Sequence, residues 1–192
     1  MPAEPIRVLV RVVELLDALA IPYAVGGSVA SGFHGEPRMT QDIDILVDLP
    51  AQKVEPLTAS MRPEFYVDLE SAREAQRNRS SFNAIHLGYH HKVDFFVAAD
   101  AVLDREQLDR RAPATIAPDV SRPVFVTSAE NILLRKLDWF RIGDEVSDVQ
   151  WRDVLALLKI QRGALDLDYV RRIARSTGLD SLLARALSQA EP

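Results

Sequence analysis

Apolar residues recur at helical spacing over positions 5–20, where Ile6, Leu9, Val10, Val12, Val13, Leu16 and Leu19 form a wide stripe. Arg7, Arg11, Glu14 and Asp17 interrupt that stretch at helical intervals, which describes an amphipathic helix and not a signal peptide. Pro22 stops it. A short buried strand is predicted over 23–25, running into a turn made by Gly26, Gly27 and Ser28. Positions 28–33 read as a short helix with Gly35 as a left-handed C-terminal cap, and 35–41 as loop. Asp42, Ile43, Asp44 and Ile45 then open a second strand over 42–47.

Helices are predicted on the surface at 51–61 and 68–79. Two strands at 81–87 and 91–97 are joined as a hairpin around Gly88 and Tyr89. A helix follows at 101–111, and 115–126 holds one or two short strands among prolines. From Thr127 the pattern is helical to the end. Thr127-Ser128-Ala129-Glu130 and Ser147-Asp148-Val149-Gln150 are capping-box signatures, and Gly178 separates helices at 168–176 and 179–190. The expected fold is α/β (α+β), a mixed sheet flanked by helices. Residues 1–126 would form its core, and 127–192 a helical bundle packed on it.

The strand at 42–47 carries the first chemical signal. Side chains two apart on a strand share a face, so Asp42 and Asp44 point one way while Ile43 and Ile45 point into a core. Paired carboxylates repel and raise each other's pKa unless a cation sits between them. On a rigid strand they suit a hard, oxygen-seeking ion such as Mg²⁺. Gly26, Gly27 and Ser28 supply the complement: glycines let backbone N–H groups face an anion, and the following helix adds its positive dipole end. A phosphate cradle beside a metal-binding carboxylate pair points to an NTP with magnesium.

This stretch, an apolar strand, Gly-Gly-Ser, a spacer and Asp-x-Asp, resembles the nucleotidyltransferase superfamily with the DNA polymerase β-like fold. The resemblance implies a third carboxylate from a neighbouring strand, and Asp94 in Lys92-Val93-Asp94-Phe95-Phe96-Val97 matches that position. A charged residue inside such an apolar run is costly unless it is paired, ligates a metal or faces solvent. Two-metal phosphoryl chemistry would follow, with two Mg²⁺ ions, or Mn²⁺ in their place, on Asp42, Asp44 and Asp94.

Lys136 falls in the middle of an apolar stripe with Ile132, Leu133 and Phe140. Either it snorkels over apolar surface or it points into the cleft to neutralise triphosphate charge. Asp153, between Val149 and Leu157, is a buried partner for Lys136 or Arg152. This pair resembles the later motifs of the AbiEii-type nucleotidyltransferases, a group rich in toxin–antitoxin components. The resemblance implies Lys136 and Asp153 as catalytic residues, an RNA or tRNA acceptor and a cognate antitoxin protein. In the loop, Arg38 and Thr40 are candidate NTP contacts, Arg38 through the γ-phosphate; the alternative for Arg38 is an ordinary surface arginine. Ser28 either binds phosphate or caps the helix, and the two are compatible.

His86, His90 and His91 cluster at the hairpin, as a zinc site or as exposed turn residues. Arg73, Arg77 and Arg79 form either a basic lip for RNA or a solvated helix face. Composition narrows the field little. The length of 192 residues, 47% hydrophobic and 27% charged, suits one compact domain with an appendage. A net charge of −5 argues against a broad nucleic-acid surface but leaves room for a local basic strip. No apolar run approaches the roughly 18 residues of a membrane span. The absence of cysteine excludes disulfides and thiol catalysis and fits a cytoplasmic protein. The expected function is magnesium-dependent transfer of an NMP from an NTP to an acceptor hydroxyl. The alternatives are a small-molecule (antibiotic-type) or protein acceptor, or a catalytically silent binding module.

Overall fold

A computed structural model describes residues 4–35, 42–118, 120 and 122–190. Seven strands form one mixed sheet in the order β3-β4-β5-β2-β1-β7-β6. The elements are α1 (Glu4–Ala18), β1 (Tyr23–Val25), α2 (Gly27–His34), β2 (Asp42–Val47), α3 (Ala51–Met61), β3 (Phe65–Val67), α4 (Leu69–Asn78), β4 (Ser81–His86) and β5 (Lys92–Val97). They continue as α5 (Val102–Asp109), β6 (Ala112–Ala114), β7 (Val124–Val126), α6 (Ala129–Ile142), α7 (Asp148–Ile160), α8 (Leu167–Thr177) and α9 (Asp180–Ala190). The mixed α/β fold matches the sequence expectation. No described helix is long and apolar enough to cross a membrane.

The centre of the sheet sets the register of the site. β2 runs parallel to β5 and antiparallel to β1, so it lies between the Gly-Gly turn that follows β1 and the acidic run of β5. Val8, Leu9, Val12, Val13 and Leu16 of α1 bury against the same core as Ile43, Ile45, Val93 and Phe95. A second apolar cluster joins Leu133, Leu134 and Leu137 of α6 to Val154 of α7, Val170 of α8 and Leu183 of α9. α6 serves both clusters, since its Ile132 belongs to the first.

Several local expectations change. α1 ends at Ala18, and Ala20 takes a left-handed φ of 48° before Pro22. Gly35 is not a left-handed cap: its φ is −130°, and its N–H simply continues the helical pattern to the Ser31 carbonyl at 2.7 Å. α6 is capped by Ser128, whose hydroxyl accepts from the Asn131 N–H, while the Thr127 N–H is bonded to the Val25 carbonyl of β1. Ser147 caps α7 as expected, accepting from Gln150 N–H. The three-residue strands β3 and β6 were not expected; β3 completes the β4 edge and β6 the β7 edge.

Candidate active site

Alternation on paired strands gathers the acidic groups. In the parallel β2/β5 register Asp44 lies opposite Asp94 and Asp42 opposite Lys92. Ile43, Ile45, Val93 and Phe95 are buried in the core, which leaves Asp42, Asp44, Lys92 and Asp94 on the other face. Nothing local in either strand announces this opposition.

The β1–α2 turn closes on Asp44. Gly26 N–H donates to the Asp44 carbonyl oxygen at 2.9 Å, so it is committed to the sheet and Gly26 contributes the turn, not an anion donor. Gly27 has φ +52°, and a Cβ there would sit 1.7 Å from Asp44 Oδ2. Only glycine permits so close an approach at that backbone angle. The Ser28 backbone N–H, at the start of α2, donates to the Asp44 carboxylate. Burial raises the pKa of Asp44, and the charges of Asp94 and Asp42 raise it further, while the Ser28 N–H and Lys136 oppose them.

Two lysines answer the acidic cluster differently. Lys136 is only 5% exposed, which rules out snorkelling to solvent. Its ammonium donates to Asp153 Oδ2 at 2.6 Å and to Gln150 Oε1 at 3.2 Å. Asp153 is therefore the partner of Lys136. Lys92 is more open, and its ammonium lies 2.8 Å from Asp94 Oδ2 and 3.6 Å from Asp42 Oδ1. Its pKa is raised, chiefly by the hydrogen bond to Asp94.

Asp44, Lys136 and Gln150 border a cleft of about 300 Å³. Gly26, Gly27, Ser28 and Asp44 line it together with Phe96, Lys136, Trp139 and Gln150. Arg79 and Arg135 add positive charge to the lining, and Asp104 negative. Asp42 and Asp94 are not in the lining themselves; they adjoin it through Asp44. Asp153 stands behind Lys136. Arg38 and Thr40 lie outside the described residues.

Sequence reasoning missed Trp139, Phe96, Arg135 and Gln150. Trp139 meets Phe96 edge-to-face with ring centres 5.5 Å apart, a pairing between α6 and β5 that no local pattern reveals. Of the three arginines considered for a basic lip, only Arg79 reaches the cleft. It occupies the left-handed position ending α4 (φ 51°), while Arg73 pairs with Glu70 and Glu55. The histidine cluster is a turn device: His86 Nδ1 accepts the N–H groups of Gly88 and Tyr89, each at 3.1 Å.

The donor set fits a hard divalent cation. It offers three carboxylates on adjoining strands, with burial and the neighbouring carboxylates working against the charge of Asp44, and it has one ammonium paired with Asp42 and Asp94. Among the described residues no three acidic or histidine side chains stand as a ready-made cage around one point.

No protein-family model and no curated protein matches the chain. Among solved structures it is similar to the antibiotic-resistance factor ANT(2'')-Ia in solution. The TM-score is 0.58 at 20% identity, covering 96% of this chain and 97% of that one. The crystal structure of ANT(2'')-Ia with adenylyl-2''-tobramycin gives a TM-score of 0.59 at 21% identity over 91% and 99% of the two chains. The chain has the nucleotidyltransferase fold. An antigenic nucleotidyltransferase-like protein from Paracoccidioides brasiliensis shares that fold at a TM-score of 0.55 and 20% identity, over 95% of this chain and 91% of that one. In this chain Gly27 opens α2, Asp44 stands on β2 and Asp94 on β5.

Proposed function

We propose that this protein is a magnesium-dependent nucleotidyltransferase that moves a nucleoside monophosphate from an NTP to an acceptor hydroxyl and releases pyrophosphate. One observation carries the reading: Asp44 faces Asp94 across β2 and β5 while Gly27 closes the phosphate turn directly onto Asp44. The reaction forms a bond from the acceptor oxygen to the α-phosphorus and breaks the bond from that phosphorus to the pyrophosphate oxygen. The hydroxyl proton passes to a carboxylate, a role assigned here to Asp94. Two Mg²⁺ ions, or Mn²⁺, held by Asp42, Asp44 and Asp94 would make the attacking hydroxyl more acidic and neutralise charge on the leaving group.

The chain's own groups orient the triphosphate. Gly27 and Ser28 open α2, whose N-terminal dipole favours phosphate. Lys136, fixed by Asp153 and Gln150, presents a positive charge to the cleft, and Arg79 adds another. Arg38 and Thr40 are assigned to the NTP from the sequence pattern alone. Positioning and charge neutralisation of this kind account for most of phosphoryl-transfer catalysis.

The AbiEii-type resemblance favours an RNA acceptor such as a tRNA end, within a toxin–antitoxin pair that includes a cognate antitoxin. A small-molecule acceptor is the second reading, favoured by the end-to-end likeness to ANT(2'')-Ia, which is known bound to an adenylylated antibiotic. Incubation with each α-labelled NTP and Mg²⁺, alongside total RNA, an aminoglycoside panel or cellular protein, separates the two. Label is expected in RNA; label in the aminoglycosides selects the second reading. Label in protein selects nucleotidylylation, and label in none of them identifies a silent binding module and overturns transfer.

A further inference from the structure

Lys92 takes no part in the mechanism above, yet its ammonium is paired with two of the three carboxylates proposed for the metal, Asp42 and Asp94. Three carboxylates share one face of two adjoining strands, and burial already works against their charge at Asp44. Lys136 opposes the charge at Asp44, and its buried ammonium is paired with Asp153 and Gln150. Lys92 stands opposite Asp42 in the register and two residues before Asp94, so its side chain emerges on the acidic face between them. Its ammonium reaches both, at 2.8 Å from Asp94 and 3.6 Å from Asp42. The side chain is 40% exposed, so its flexible four-carbon stem has solvent to retreat into.

We propose that Lys92 is the resident counter-ion of the metal site: its ammonium holds Asp42 and Asp94 in the metal-free protein, withdraws as a divalent cation enters, and thereby sets metal affinity. This rests on the nucleotidyltransferase reading of the same carboxylates. A lysine is suited to the exchange because it is a compact point charge without the rigid bidentate grip of an arginine. The arrangement keeps like charges apart until metal arrives, at the cost of weaker metal binding.

Mn²⁺ titration followed by electron paramagnetic resonance tests it on the full-length chain, comparing wild type with Lys92→Met, Lys92→Gln and Asp44→Asn. Either Lys92 variant should bind Mn²⁺ about tenfold more tightly, the lower end of what one unit charge at contact distance exerts near a protein surface. Both should also melt lower than wild type in chelator, with the difference closing at saturating Mn²⁺. Unchanged or weaker Mn²⁺ binding in Lys92→Gln and Lys92→Met, with wild-type binding abolished by Asp44→Asn, overturns the counter-ion role and leaves the metal site standing. Wild-type binding that survives Asp44→Asn overturns the metal site itself, and the role of Lys92 with it.

Discussion

Asp44 is the residue on which turn, sheet and cleft meet, and its replacement separates chemistry from folding. Asn keeps the shape and an oxygen for the Ser28 N–H but removes the charge, so Asp44→Asn should abolish NTP-dependent transfer while leaving the circular dichroism spectrum unchanged. Because the folded pKa of Asp44 is raised, the folded chain holds this proton more tightly than the unfolded one. The stability that follows is fully present below its ordinary value of 3.8 and is lost as pH rises through the folded value. Melts in chelator should therefore show Asp44→Asn gaining on wild type as pH rises from about 4 to 7. Gly27→Ala is a sharper steric test. The new methyl would fall on the Asp44 carboxylate at a left-handed φ, so transfer should drop at least as far as in Asp44→Asn, with a lowered melting temperature. The Asp42/Asp44 pairing was legible because period two is a local rule. Asp94 was reached only through the family resemblance, and its register opposite Asp44 has no local signal, since strand pairing is decided by packing between distant segments.

The β4–β5 hairpin shows what an element's pattern does and does not reveal. Its two strands were readable from alternation, but the turn was not. The left-handed position is His90 (φ 57°), and Gly88 has no need of one. His86 specifies the turn by accepting two backbone N–H groups on Nδ1, which requires the ring nitrogen to be unprotonated. Burial lowers the His86 pKa below 6.5, so its contribution is present above 6.5 and is lost as pH falls through the folded value. His86→Ala should cost about 1 kcal/mol at neutral pH, and the gap to wild type should shrink as pH falls below 6.5 in urea titrations. The strands that escaped sequence reading are three residues long, and β6 contains Pro113, which lacks a ladder N–H and sits on the sheet edge. α1, by contrast, announces itself because one face is apolar over its whole length.

For the folded chain as a unit, α6 is the joint between core and helical end. Ile132 packs into the sheet core, Leu133, Leu134 and Leu137 into the second cluster, and Leu157 of α7 returns to the first. Polar links run the same way: Gln161 Nε2 donates to the His34 carbonyl at 2.5 Å, and Asn131 Nδ2 donates to the Glu106 carbonyl at 2.8 Å. We therefore propose that 1–126 and 127–192 unfold together, since each apolar cluster draws residues from both parts. Both tryptophans, Trp139 and Trp151, lie in the helical end, so their fluorescence reports that part while far-ultraviolet dichroism reports the whole. The Lys136–Asp153 pair gives the test its leverage. Lys136→Met strands a mostly buried carboxylate and should cost about 3–5 kcal/mol. Lys136→Met with Asp153→Leu removes both charges and should recover most of that stability, since a buried ion pair is often no better than apolar packing. If Lys136 also steadies the triphosphate, transfer stays lost in the stable double variant, whereas restored transfer would confine the pair to architecture. In wild type and the double variant the two optical transitions should coincide, and an early loss of tryptophan signal would mark the helical end as an independent unit.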